Sequence, residues 1–318
     1  LDRFGAIDYI INLIKDAVRN TDIELVLNAD DPLVTHFHHE TGLHCWYFGF
    51  SDTEYDNTSS TENREGRYCV FCGHELNYER YHYAQLGKFH CSACTNKNPD
   101  YNFIGHNLKM RPSIDFQVNN IRITSPYQGF YNAYNLLATV SLAKLIGIED
   151  EIIQTALAKY QPQAGRMEKF TINGKETILI LVKNPAGLNQ TMATMKYYAT
   201  SKNLFLALND NAGDGRDISW IWDADVEMIS DKNIAVKKVV CSGLRSGDFA
   251  VRAKYAGINP DDIIIKTPLQ EGIKAVVNGP GEINYILSTY SALFETRKIL
   301  TAMERENTET PKQLTAEA

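Results

Sequence analysis

Ile7, Ile10, Ile11, Ile14, Ala17 and Val18 recur at helical spacing, which predicts an amphipathic helix over about residues 6–19 with one core-facing stripe. IELVLNADDP then reads as a buried strand with a polar exit at Asn28, Asp30 and Asp31, the arrangement that an α/β domain presents at the carboxyl edge of its sheet, although the same residues also suit a plain turn. SDTEYDNTSSTENREG is polar and nearly free of aliphatics, so an exposed loop is expected there. Further on, IDFQVNNIRIT alternates like a hairpin, and GFYNAYNLLATVSLAKLIGI changes to helical periodicity near Asn132. Asn132 and Asn135 fall on one face of the first turn, where asparagine either caps the helix or offers its amide to a base or ribose. Local grounds favour the cap.

Gly165 and Arg166, in QPQAGRMEKF, mark a domain boundary followed by a new strand. Apolar runs near 178–182, 204–208, 236–240, 263–265 and 283–287 then alternate with helical segments, which predicts a parallel sheet flanked by helices. Polar residues follow the strands directly: Lys183-Asn184-Pro185, then Asn209-Asp210-Asn211 with Asp214, Arg216 and Asp217, then Ser242-Gly243. Ligands of open α/β sheets bind outside the carboxyl ends of strands, so these three loops form the candidate site. The last residues, ENTETPKQLTAEA, read as a disordered tail.

Four cysteines change this picture. Cys69, Cys72, Cys91 and Cys94 form two C-x2-C pairs with 18 residues between them, the spacing of a tetrahedral zinc ribbon whose filled sphere supports structure and leaves no open position for chemistry. Ordinary buried thiols or two disulfides are the weaker reading. Cys45 and Cys241 each lie in an apolar stretch and read as core residues. Neither a signal peptide nor an apolar run of bilayer length is apparent, so a reducing, cytoplasmic setting is expected.

With 318 residues, 44% hydrophobic composition and a formal charge of −7, the chain has material for two cores, and its acidity argues against a nucleic-acid groove. The ribbon's tyrosines are expected to pack on the metal knuckle. NDNAGDGRDISWIWDADVE gathers five aspartates without the glutamate spacing of a calcium loop. The flanking Trp220 and Trp222 suggest an anchored surface, either an internal docking site or a partner interface.

LDRFG, LVLNADDP, GFYNAYNLLA, AGRME, KNPAG and LNDNAGDGRDISWIWDADVE, in that order and with a four-cysteine insert, resemble the MurT family, the Mur-ligase-like subunits of lipid II isoglutaminyl synthases. The resemblance runs over essentially the whole chain. It implies an α/β protein with residues 1–163 as a partial Mur-ligase central domain, a four-cysteine zinc ribbon inserted at about 65–100, residues 164–305 as a Rossmann-like Mur ligase C-terminal domain, and 306–318 as a tail. It also implies an ATP- and Mg2+-dependent carbon–nitrogen ligase with glutamine as nitrogen donor, working as a heterodimer with a GatD-like glutamine amidotransferase. The α-carboxylate of D-glutamate in the lipid II stem peptide would be activated as an acyl phosphate and displaced by ammonia, giving D-isoglutamine at the inner face of the membrane.

By the same resemblance, Asn132 corresponds to an adenine-contacting asparagine and Asn28, Asp30 and Asp31 to the segment bordering the nucleotide. Arg166 corresponds to an interdomain arginine directed at the phosphates, and Lys183 and Asn184 to residues facing the acyl phosphate. Asp217 corresponds to an aspartate given to the partner's active site, where it would complete a triad with a cysteine and a histidine. The chain departs from Mur ligases in having no Gly-Lys-Thr phosphate loop. That loop is expected before Leu1, and the chain alone is expected to be inactive. An amino-acid-adding ligase of the Mur or folylpolyglutamate synthase kind, and a non-enzymatic zinc-stabilised docking subunit, are the alternatives.

Overall fold

A computed structural model describes residues 7–59, 66–160, 164–196 and 199–313, with the side chains of Asp8 and 307–313 outside the description. LDRFG therefore falls outside the described residues. The chain divides into two compact units, residues 1–161 and 162–318.

In the first unit, α1 (Ile7–Val18) leads to β1 (Leu25–Asn28), α2 (Phe37–Thr41) and β2 (Cys45–Phe50). The insert follows as a hairpin of β3 (Leu76–Tyr83) and β4 (Leu86–Cys91), after which come β5 (Phe103–Lys109), β6 (Ile114–Val118), β7 (Ile121–Ser125), α3 (Phe130–Leu145) and α4 (Asp150–Lys159). The sheet order is β1-β2-β5-β6-β7, parallel through β5 and antiparallel beyond it. The expected IDFQVNNIRIT hairpin is β6–β7, turning at Asn119 with φ 50°. Phe50, Ile114, Phe116, Ile123, Ala133, Leu137 and Val140 are buried between sheet and α3.

Three expectations change here. The apolar stripe of α1 is only partly covered: Ile7, Ile11 and Val18 are half-buried, but Ile10 and Ile14 are exposed along with Tyr9 and Leu13, while Lys15 is buried and bonds Glu40 at 2.6 Å. The helix meets the five-residue α2, whose surface is too small to cover so wide a stripe. Helix α3 starts at Phe130 because Gly129, at φ 87°, turns the chain there, and Asn132 and Asn135 separate into one buried and one exposed residue. The loop after β2 is tied down over its described part. Asp56 accepts from Thr53 and contacts His82 Nδ1 at 2.6 Å.

The second unit runs β8 (Arg166–Ile172), β9 (Lys175–Leu181), α5 (Pro185–Lys196), β10 (Lys202–Ala207), α6 (Trp220–Asp223), β11 (Val236–Ser242), α7 (Ser246–Tyr255), β12 (Ile263–Ile265), α8 (Leu269–Val277), β13 (Ile283–Ser288) and α9 (Tyr290–Gln313). Its sheet has the order β12-β11-β10-β13-β9-β8, parallel except for the edge strand β8. Strands β10 and β13 are fully buried, as apolar runs covered on both faces should be. Leu188 and Met192 of α5 and Phe249 and Ala253 of α7 fill one face. Ile273 and Val276 of α8 and Leu293 and Leu300 of α9 fill the other.

Helix α9 corrects the expected tail from residue 306, since it continues to Gln313.

Arg252 fastens the segment after β10 to α7. Its buried guanidinium donates to the carbonyls of Ile221 and Ala224 and pairs both Glu227 oxygens at 2.8 and 2.7 Å. Removing it leaves two inward carbonyls without donors, so Arg252→Met should lower stability by roughly 2 kcal/mol. Urea unfolding in a Trp46→Phe background, which leaves Trp220 and Trp222 as the reporters, checks this, and an unchanged midpoint would contradict it.

Candidate functional site

The four cysteines converge in the first unit. Cys69 and Cys72 sit in a knuckle closed by Gly73 N–H to Cys69 O at 2.9 Å, with Gly73 at φ 73°, a left-handed turn that suits glycine. Cys91 ends β4, and the Ala93 N–H points at its sulfur from 3.4 Å. Neighbouring sulfurs lie 3.5–3.6 Å apart, and all four fall within 4.8 Å of one another. A tetrahedral zinc with Zn–S near 2.3 Å needs sulfurs about 3.8 Å apart, so the donor set fits that ion. Burial raises the Cys69 thiol, but the Phe71 and Cys72 N–H groups and the Asn96 amide, 3.3 Å from its sulfur, bring it down to about 6, which favours the thiolate a metal binds. Of the ribbon's tyrosines, Tyr78 packs on the Cys69–Leu76–Phe89–Cys91 cluster and stacks on Tyr81, whereas Tyr68 is exposed.

The NADD segment forms the turn after β1. Asp30 is 0% exposed. It accepts from Phe50 N–H at 2.9 Å, Tyr101 hydroxyl at 2.5 Å and Tyr134 hydroxyl at 2.7 Å, and His82 Nε2 lies 3.9 Å away. Burial pushes its carboxyl upward, against the His82 ring and these donors. A Cβ at Gly49 would come within 2.7 Å of the Asp30 carboxylate, so only glycine permits the approach. Asp30 is thus a brace of the turn, its oxygens occupied by groups of its own chain. Asn28 Oδ1 accepts from Asp30 N–H, and Asp31 Oδ1 from Leu33 N–H. Asn132, buried on α3, donates its amide to Gln128 O at 2.7 Å. It bonds a carbonyl, so it does not cap an N–H. The structure therefore gathers Asn28, Asp30 and Asp31, and Tyr134 carries α3 to the same carboxylate.

In the second unit the loops after β10, β11 and β13 are bonded together at the carboxyl edge. Asn209 N–H donates to Thr289 Oγ1, Asn209 Oδ1 accepts from Leu244 N–H, and Asp210 pairs with Arg245 at 2.7 Å. Asp214 takes the Ser291 N–H at 2.7 Å and its hydroxyl at 2.5 Å, while the Asn209 and Asn211 amides reach the same hydroxyl. Beyond Gly215, at φ 91°, Asp217 is exposed and accepts from Ser219 N–H at 2.8 Å. The Ser219 hydroxyl and N–H hold its carboxyl below the usual carboxylate range, so it is an ionised acceptor facing outward. Lys183 and Asn184 are exposed at the same edge after β9, but β13 separates that strand from β10. Asn184 Oδ1 accepts from Gly187 N–H at the start of α5. Arg166 is exposed at the start of β8.

Trp220 packs against the core, while Trp222 is 51% exposed, lies over the Arg252 guanidinium and meets the Tyr255 ring at 5.9 Å. Sequence reasoning missed Ser291 and Thr289, whose only signal is a polar triplet directly after the last strand. It missed His82 and Tyr101 as well, because their partners are distant in sequence.

Asp31 supplies a pH prediction. Burial, against bonds from Leu33 and Gln85, pushes its carboxyl up to about 6, above an unfolded value near 4. Folding then binds the proton more tightly, so this group's contribution is present below about pH 4 and is lost as pH rises through about 6. Asp31→Asn keeps the acceptor for Leu33 but cannot ionise, and partial exposure trims the effect. The variant should gain about 1–2 kcal/mol relative to wild type between about pH 4.5 and 7.5. Denaturant titrations at both pH values test this. A second prediction concerns the metal: reduced protein should carry one zinc per chain by elemental analysis, and Cys91→Ser should abolish stoichiometric binding.

A family model described as MurT ligase C-terminal matches residues 181–293. The subunit MurT of lipid II isoglutaminyl synthase (glutamine-hydrolyzing) from Streptococcus pneumoniae is 35% identical over 96% of this chain and 68% of its own length. The protein of the same name from Staphylococcus aureus strain COL is 34% identical over 83% of this chain and 59% of its own length. The chain thus spans roughly three-fifths to two-thirds of these curated relatives. A pseudomurein peptide ligase type C from Methanothermus fervidus shares the fold, with a TM-score of 0.69 at 20% identity over 94% of this chain and 60% of that one. With an α/β fold of the Mur ligase kind, a four-cysteine cluster and this identity along nearly its whole length, the chain belongs to the MurT family.

Proposed function

We propose that the chain works in a subunit of an ATP- and glutamine-dependent amidotransferase that converts the α-carboxylate of D-glutamate in the lipid II stem peptide to an amide. What carries the reading is 35% identity, over 96% of the chain, to a relative named as a glutamine-hydrolysing lipid II isoglutaminyl synthase subunit. A carboxylate is a poor electrophile and needs a leaving group before an amine can displace it. ATP with Mg2+ would provide one as phosphate. In this reading Asn28, Asp31 and Asn132 border the nucleotide from the first unit, with Asp30 holding the turn. Arg166, Lys183 and Asn184 are assigned to the phosphate and acyl-phosphate side. Ammonia is useful only unprotonated, so its release from glutamine has to be sheltered and coupled.

Asp217 is assigned to that coupling. Its exposure and depressed pKa suit a carboxylate offered to the histidine of a GatD-like partner, where accepting the ring N–H fixes the tautomer and stabilises the imidazolium. A triad completed only on assembly would keep the free partner from wasting glutamine. The substrate would be met at the inner face of the membrane. Among the described residues, no helix is long and apolar enough to cross a bilayer, and lipid II supplies the membrane contact.

The test is the glutaminase activity of the partner amidotransferase with and without this chain, an assay that needs no ATP. Wild type should stimulate hydrolysis, and Asp217→Asn should bind equally well but give at least about 100-fold less activity. Equal stimulation by both forms would remove Asp217 from the triad. Failure to bind would favour an amino-acid-adding ligase.

A further inference from the structure

The four-cysteine centre and the turn after β1 are joined by one continuous series of short contacts through residues 94–101. Cys94 is a corner of the centre. Asn96, buried, accepts from Cys91 N–H at 2.7 Å through its carbonyl and reaches Cys69 Sγ through its amide. Asn98, also buried, accepts from Phe89 N–H at 2.7 Å and donates to Ala29 O and Gly87 O, each at 2.9 Å. Tyr101 then donates a hydrogen bond from its hydroxyl to Asp30, and Gly87 N–H meets Asp30 O at 3.0 Å. Among the described residues, no lysine or arginine pairs with Asp30. A carboxylate buried without such a cation is tolerated only while its donors are held in place. One of the two hydroxyl donors, and the amide that holds the backbone beside it, come from this segment.

We propose that residues 94–101 act as a strap through which metal binding at the four cysteines fixes the turn Asn28–Asp31, with Asn98 and Tyr101 as positioning residues. Without the ion, little else closes the knuckle corners, because the small ribbon core consists of Leu76 and Phe89 with the cysteines themselves and Tyr78 against them. The strap then loses its anchor at Cys94, Tyr101 and Asn98 leave their partners, and Asp30 must take up water or a proton. The inference goes beyond the proposed amidation and does not require it, although Asn28 and Asp31 are the residues that reading assigns to the nucleotide.

Hydrogen exchange of the whole chain, read by mass spectrometry with and without a zinc chelator under reducing conditions, tests the strap independently of activity. Peptides covering 25–35 should exchange at least about tenfold faster after chelation, while those covering 202–208 in the second unit stay unchanged. Tyr101→Phe and Asn98→Ala, still loaded with zinc, should show the faster exchange at 25–35 with the ribbon peptides protected. Weakened zinc affinity in these variants would also support the strap, because coupling acts in both directions. The proposal is overturned if chelation accelerates only the ribbon, or if both zinc-loaded variants exchange and bind zinc like wild type.

Discussion

The first unit is organised around a buried carboxylate that, among the described residues, no lysine or arginine neutralises. Desolvating Asp30 is costly, and the offset comes from the His82 ring together with donors drawn from β2, α3 and the end of the insert: Phe50 N–H, Tyr134 and Tyr101. Each donor needs its own element in register, so one aspartate ties together segments more than a hundred residues apart. The aromatic packing follows the same centre. Phe50 meets Tyr134, Phe130 and Phe116 edge-on or tilted within 4.9–5.6 Å, and Tyr83 and His82 close on Phe130. Gly49 gives the room for this approach, and a side chain there would displace the carboxylate itself.

The second unit solves a different problem with weaker bonds. Its central strands β10 and β13 are fully buried, so the polar groups that chemistry requires gather in the loops at the carboxyl edge. There Asp214 holds the first turn of α9, Asp210 holds Arg245, and Asn209 bridges the loops after β11 and β13. These exposed bonds are each worth little in stability. Together they leave the backbone few alternatives on either side of Gly215, and Asp217 stands just beyond.

Strand positions in the second unit were legible because five apolar runs alternate with helices, and each run became a strand of the sheet. The cysteine spacing was equally direct, since C-x2-C fixes two sulfurs through local geometry. Pattern failed where burial depends on a distant partner. The stripe on α1 has the period of a core helix yet is left half exposed, and Lys15 in its midst is buried with Glu40 as its acceptor. Lys202 looks like a polar strand flank but is fully buried, its ammonium satisfied by the carbonyls of Thr200 and Ile234. Asp30 and Asp31 are neighbours in sequence and differ in surroundings, which no local reading distinguishes.

That difference bears on how the candidate site works. Asp30, Asp31 and Asp217 are chemically alike, and their environments set three separate states. Burial raises Asp30 while His82, Tyr101, Tyr134 and the Phe50 N–H oppose the shift. Asp31 sits near 6, poised between charged and neutral. Asp217, stabilised by Ser219 and open to solvent, stays charged. The role proposed for Asp217, accepting a ring N–H from a partner, needs a carboxylate that is ionised and reachable from outside its own chain, and of the three Asp217 is the exposed one. The loop after β10 therefore carries its aspartates in two roles: Asp210 and Asp214 are spent on holding the backbone, and the outward charge of Asp217 is what that rigidity presents.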